Sequence, residues 1–160
     1  MVEAKKIQSF PALDELDLEL LRTLARNGRT TNAELAQQLD IAPSTCLGRV
    51  RNLVSNGVIA RFTAEIEPAA LGLSLQALIS VTLRAGARAN LNDFAQKMRA
   101  HPQVIQLFFL GGAEDFIVHL AVRNSDEVRE FVLEELSNNA SVANTRTNIV
   151  FDHFHKGPLG

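Results

Sequence analysis

Apolar positions recur at helical spacing in the first third of the chain, and further on they alternate between strand and helix spacing. Leu16, Leu20, Leu21 and Leu24 mark one face of a helix beginning near Leu13, with Asp14 placed to cap it and Asn27-Gly28 to stop it. Thr31 and Glu34 have the spacing of a capping box, so a second, short helix follows with Leu35, Ala36 and Leu39 turned inward. Asp40 to Ala42 make a tight turn. Pro43 then opens a third helix, which Asn56-Gly57 closes. Cys46, Val50 and Leu53 line its inner face, leaving Ser44, Thr45, Leu47, Gly48 and Arg51 on or near the outer one. Residues Val58 to Ile66 turn strand-like, as a wing or linker strand would.

Beyond this point Ala77, Ile79, Val81 and Leu83 alternate with Leu78, Ser80, Thr82 and Arg84, which predicts a strand. Leu91, Phe94, Ala95 and Met98 predict a helix ending before His101-Pro102. Val104 to Leu110 and Asp115 to Val122 read as two strands joined by Gly111 to Glu114. Ser125 is expected to cap a helix with Val128, Phe131 and Val132 inward, and Val142 to Phe154 to form a fourth strand. The predicted fold class is α+β. Three short helices in a helix-turn-helix arrangement, winged by the strand-like stretch, precede a ferredoxin-like βαββαβ sheet with both helices on one face. Leu78, Ile105 and Val118 are expected to leave the other face too apolar for water, so a second copy of the sheet is its simplest cover. The expected organisation is a tail over 1–12, the helix-turn-helix over 13–60 and a linker strand and hinge over 61–73. A ferredoxin-like oligomerisation domain over 74–155 and a tail over 156–160 complete it.

Charge changes the picture only slightly. The chain of 160 residues carries a net −2, divided as +1 over residues 1–63 and −3 over the remainder. That asymmetry has the sign expected of a nucleic-acid-binding front half. Cys46 is the single cysteine, so an intrachain disulfide is excluded and a reducing compartment fits. No apolar run reaches the roughly 18 residues of a membrane span, and Lys5-Lys6 are not followed by a signal-peptide core; the expected location is cytoplasmic.

The outer face of the third helix is the strongest candidate for chemistry. A capped helix and a tight turn before it favour double-stranded DNA as its partner over a protein surface. Arg51 is placed to reach a base edge or phosphate, Ser44 and Thr45 to contact phosphate or bases at the helix start. Arg49 is a DNA candidate that an acid of its own domain could instead hold, and Arg29 and Arg61 are candidate backbone contacts. Ala42 at the cap and Gly48 in mid-helix should each weaken this helix by about 1 kcal/mol. Gly111 and Gly112 form a hairpin turn first. Their bare amides, with Ala113, Glu114 and Asp115, also suit an amino-acid ligand, Asp115 or Glu114 accepting from its ammonium. Cys46 reads as a small buried apolar residue. His153 and His155 share a strand face but lack an evident third ligand, so no metal is expected. No catalytic set is visible, and no cofactor beyond an amino-acid effector is expected.

The sequence resembles the Lrp/AsnC family of transcription regulators. Leu13 to Asp17, Asn27 to Thr31, Glu34 to Ala36, Arg49 to Arg51, Leu53 and Gly57 to Ile59 stand in the family's order, and Pro68 to Gly72 resembles its domain junction. Its recurrent Thr-Gly-x-x-Asp corresponds to Gly111 to Asp115, with Gly111 in place of the threonine. The resemblance implies a non-enzymatic regulator whose residues 74–155 are the effector-binding and oligomerisation domain and whose homodimers build tetramers, octamers or larger discs, with an amino acid or related molecule shifting assembly or DNA affinity. The alternatives from other classes are a dimeric ferredoxin-like small-molecule enzyme and a helix-turn-helix used only for protein assembly.

Overall fold

Asp14 and Asp17 start the first element by capping each other. The Asp17 amide donates to the Asp14 carboxylate at 2.8 Å and the Asp14 amide donates to Asp17 at 3.3 Å. The computed structural model, which describes residues 10–155 and 157–159, places helix α1 at Glu15–Arg26 behind this box. Helix α2, Asn32–Gln38, starts on the expected Thr31–Glu34 box. Asp40 adopts a φ of 50° in the turn that follows, a left-handed conformation aspartate tolerates better than most side chains. Helix α3, Pro43–Ser55, comes next, and Gly57 at φ 72° ends it without a Cβ penalty. Leu20, Leu35, Ala36, Cys46 and Leu53 form the buried core of this unit. A core this small makes the unit marginal on its own.

The chain divides into two compact units, the first ending at Glu65 and the second spanning Ile66–His153. The expected strand over Val58 to Ile66 is not present. Ala60 to Glu67 have no ladder partner among the described residues, and Pro68–Leu71 wind into a 3₁₀ turn ending on Gly72 at φ 78°. The N-terminal tail expected at 1–12 is described only from residue 10, and of the C-terminal tail only 157–159 are described.

The second unit is built on strands β1 (Leu75–Leu83), β2 (Val104–Phe109), β3 (Phe116–Val122) and β4 (Val142–Val150), all antiparallel in the order β2-β3-β1-β4. Helices α4 (Leu91–Ala100) and α5 (Ser125–Phe131) cover one face, α5 running on through a π turn at Val132–Ser137. Ile79, Val81, Phe116, Val118 and Leu120 meet Phe94, Met98, Val128 and Phe131 in this core, and Lys97 pairs with Glu135 at 2.8 Å beside it. This is the βαββαβ arrangement the sequence predicts.

Three details differ. Asn124, not Ser125, caps α5, its carboxamide accepting from the Glu127 amide at 3.1 Å. Strand β4 stops at Val150, opposite Gln76 near the start of β1, because Phe151 to Phe154 have no strand left to pair with. Val118 lies in the helix-covered core and not on the open face. The open face is instead mixed, carrying Leu78, Phe108 and Ile117 beside Gln76, Ser80, Gln106, His119 and Arg146. Among the described residues no helix is long and apolar enough to cross a membrane.

Candidate functional site

Helix α3 turns Cys46 and Leu53 fully inward, and its 3.6-residue period then decides what the opposite side offers. Ser44, Gly48, Asn52 and Ser55 run down the centre of that side, with Thr45 and Arg51 flanking them, and all six are exposed. Ser44, Thr45, Gly48 and Asn52 share one wall of a groove of about 520 Å³, with Pro11 to Leu13 on its other side. Gly48 needs no glycine for its own fold. A Cβ there would meet nothing within 4 Å, and its φ is not positive.

Ala42 stands at the N-cap and no side chain caps α3, Ser44 included. Pro43 has no amide hydrogen, and the first helical hydrogen bond is Cys46 to Ala42 at 3.0 Å. The Ser44 and Thr45 amides therefore point out of the positive end of the helix dipole, an arrangement that attracts an anion such as a phosphate. Arg51, Arg29 and Arg61 are exposed, and their side chains make no hydrogen bond or ion pair among the described residues.

Arg49, a candidate DNA contact, meets acids of its own domain, the other partner the sequence left open for it. Its Nη1 donates to Asp14 at 2.7 Å and to Asp17 at 2.8 Å, so it is paired with the α1 capping box while lining the same groove as Ser44, Thr45 and Gly48. The Asp17 amide, and then the Arg49 guanidinium, hold the Asp14 carboxyl below its ordinary value. Leu47 is also displaced from the centre of the face. It is 39% exposed and lines an apolar notch of about 170 Å³ with Leu24, Val50 and Phe62. Cys46 has no exposed surface, and burial pushes its thiol up, away from the reactive thiolate.

In the second unit the hairpin between β2 and β3 brings the candidate effector residues into one loop. Leu110 donates to the Asp115 carbonyl at 2.9 Å and closes it. Gly111, Gly112 and Ala113 are exposed, and their amides have no backbone partner among the described residues. A Cβ on either glycine would meet nothing within 4 Å, so the chain itself gives no steric reason for them. Asp115 is spent differently from expectation. Its Oδ2 accepts from the Leu83 amide at 2.7 Å and its own amide donates to Val81 at 3.0 Å, tying the loop to the end of β1. Glu114 instead faces a cation, Arg146 Nη2, at 2.8 Å.

The sequence model of a winged helix-turn-helix DNA-binding domain matches residues 13–60, and that of the Lrp/AsnC ligand binding domain matches residues 76–159. The HTH-type transcriptional regulator AldR of Mycolicibacterium smegmatis is 45% identical over 88% of this chain and 82% of its own. AldR of Mycobacterium tuberculosis is 48% identical over 88% and 79%, and the crystal structure of MtbAldR superposes with a TM-score of 0.76. A transcriptional regulator of Neisseria meningitidis, solved as a complex with L-Met, has a TM-score of 0.84 at 31% identity, covering 91% of this chain and 94% of its own. The chain belongs to the Lrp/AsnC family. It is a DNA-binding transcriptional regulator. Helix α3 lies within the match to the DNA-binding domain, and the Gly111 to Asp115 hairpin within the match to the ligand binding domain.

Three residues of these two surfaces are not among the candidates read from the sequence of this Lrp/AsnC protein. Asn52 and Ser55 follow Gly48 at i+4 and i+7, so the spacing that marked the outer face also pointed to them. Arg146 had no local signal, because only the β1–β4 register, Arg146 opposite Ser80, brings it near a loop 32 residues earlier.

Proposed function

We propose that this regulator binds a pseudo-palindromic DNA site as a dimer, with α3 of each copy in successive major grooves and an amino acid acting at the Gly111 to Asp115 hairpin. The observation that carries the DNA half is the outer side of α3: small, exposed and uncharged except for Arg51, with two uncapped amides at its start. A phosphate accepts from the Ser44 and Thr45 amides, the bare Gly48 backbone lets the duplex come close, and Arg51 reads a base edge or backs onto phosphate. Arg29 and Arg61 add backbone contacts that carry no sequence information. Half-sites then lie about one helical turn, or a multiple of it, apart.

The effector half rests on the hairpin's unpartnered amides and on glycines the fold does not itself require. It is also supported by the L-Met complex of the Neisseria relative. Dimerisation through the open sheet face covers Leu78, Phe108 and Ile117, and dimers assemble further into tetramers, octamers or discs. The place of action is the cytoplasm, where the DNA is. Effector and DNA then share a coupling free energy of a few kcal/mol at most, equal in both directions.

DNA titrations against a site selected from genomic fragments, run across a salt series, test this reading. Affinity falls steeply with salt, and Arg51→Ala weakens binding by about 1–3 kcal/mol if the arginine is bidentate to guanine. Parent-like binding by Arg51→Ala would place the reading face elsewhere.

A further inference from the structure

The outer side of α3 carries few groups that can tell one base from another. Gly48 has no side chain, and Ser55 is spent on its own helix, its hydroxyl donating to the Asn52 carbonyl at 3.1 Å. Asn52 is different. It is exposed, and its carboxamide makes no hydrogen bond among the described residues. The helix gains nothing from it, because asparagine is among the weaker helix formers, its carboxamide offering the backbone other partners. Gly48, weaker still, stands one turn before it. A helical side chain leans over the turn N-terminal to its own Cα, so Asn52 stands beside the gap that Gly48 leaves, where even a Cβ would meet nothing within 4 Å. Both residues line the groove of about 520 Å³ that Ser44 and Thr45 share. The fold itself supplies no reason for either.

We propose that Asn52 is a specificity-determining residue that reads an adenine in the major groove, with Gly48 as the clearance that lets it reach the base edge. The proposal rests on α3 being the helix that enters the groove. A carboxamide offers one acceptor and one donor side by side. Adenine presents the complement in the major groove, its N6 amino group next to the N7 acceptor, so Oδ1 accepts from N6 while Nδ2 donates to N7. Guanine offers two acceptors there, which suit an arginine such as Arg51 instead. Asn52 lies about 12 Å along the helix axis beyond Ser44, so the phosphate contact at the helix start and the base contact are separate. The first sets the register of the helix on the duplex, and the second reads sequence. Asn52 is uncharged and releases no counterions, so it contributes to the choice of site and not to the salt dependence.

A duplex selected by the full chain from a random library is the probe. The parent, Asn52→Ala and Arg51→Ala are titrated against it and against duplexes with each adenine changed singly, either to guanine or to 7-deazaadenine, which lacks the N7 acceptor. One adenine in each half-site should be found where both changes weaken the parent about tenfold. Asn52→Ala should be about tenfold weaker on the selected duplex and indifferent to both changes at that position. Its salt slope should equal the parent's and its thermal midpoint should not fall, which separates a lost base contact from a damaged helix. Arg51→Ala should keep the preference for that adenine. Parent-like binding by Asn52→Ala, or a variant weakened equally on every duplex, would overturn the assignment, and a weakened Arg51→Ala would then leave α3 standing as the reading helix. If neither substitution weakens binding or changes preference, the reading face of α3 and the role of Asn52 fall together.

Discussion

Gly48 and Arg49 are chain neighbours that α3 sends in different directions. Gly48 opens onto empty space on the outer side, whereas Arg49 bonds Asp14 and Asp17, 35 and 32 residues earlier. Gly48→Ala should therefore stabilise the first unit by about 1 kcal/mol, the usual helical difference between the two residues, while weakening DNA binding. Thermal melts and DNA titrations of one variant read both effects. Arg49→Ala should lower the thermal midpoint by loosening α3 from α1. Its salt slope for DNA should match the parent's, because no phosphate contact is lost, whereas Arg51→Ala should reduce that slope by about one if it contacts phosphate. A reduced slope for Arg49→Ala would return it to the interface. The sequence placed Arg49 on a helix flank, but it could not tell which distant acid would meet it.

Among the elements, α3 is the one whose start is unfinished. Helices α1 and α2 begin on reciprocal capping boxes, Asp14–Asp17 and Thr31–Glu34, of which only the second is legible as a box in the sequence, while α3 begins on Ala42. Ala42→Ser should add about 1 kcal/mol to the unit's stability, measured by denaturant titration. Ala42→Asp should do the same and yet weaken DNA binding, since its carboxylate would occupy the amides proposed for phosphate and repel the duplex. Equal DNA affinity of Ala42→Asp and the parent would remove those amides from the interface. Element types were legible because helical and strand spacings differ; several ends were not. Asn124 displaced Ser125 as the cap of α5, two residues of nearly equal capping preference, and β4 stopped where its neighbour β1 begins. The stretch from Val58 to Ile66 has strand-like composition but no partner strand among the described residues, and composition alone does not make a ladder.

At the scale of the whole molecule, the open sheet face decides how the second unit responds to pH. His119 is 4% exposed, with its ring nitrogens at 2.8 Å from Gln76 and 3.3 Å from Gln106. Burial, and then the nearby His153, push its pKa below the ordinary value of 6.5. The unfolded chain then binds that proton more readily than the folded one, so the contribution of His119 is complete above about pH 6.5 and is lost as the pH falls towards the lowered value. The second unit's thermal midpoint should decline below that pH, and His119→Gln, which cannot titrate, should flatten the decline. An unchanged pH profile would show that His119 does not control it. The sequence by itself determined the two-unit plan, the helix-turn-helix, the βαββαβ order and the outer side of α3, because all of these follow from periodicity and capping within about twenty residues. Only the tertiary structure decided that Arg49 is held by α1, that Asp115 serves β1, that Val118 is core and that Arg146 meets Glu114. Each depends on packing or register between segments far apart in the chain, and neither spacing nor composition carries that information.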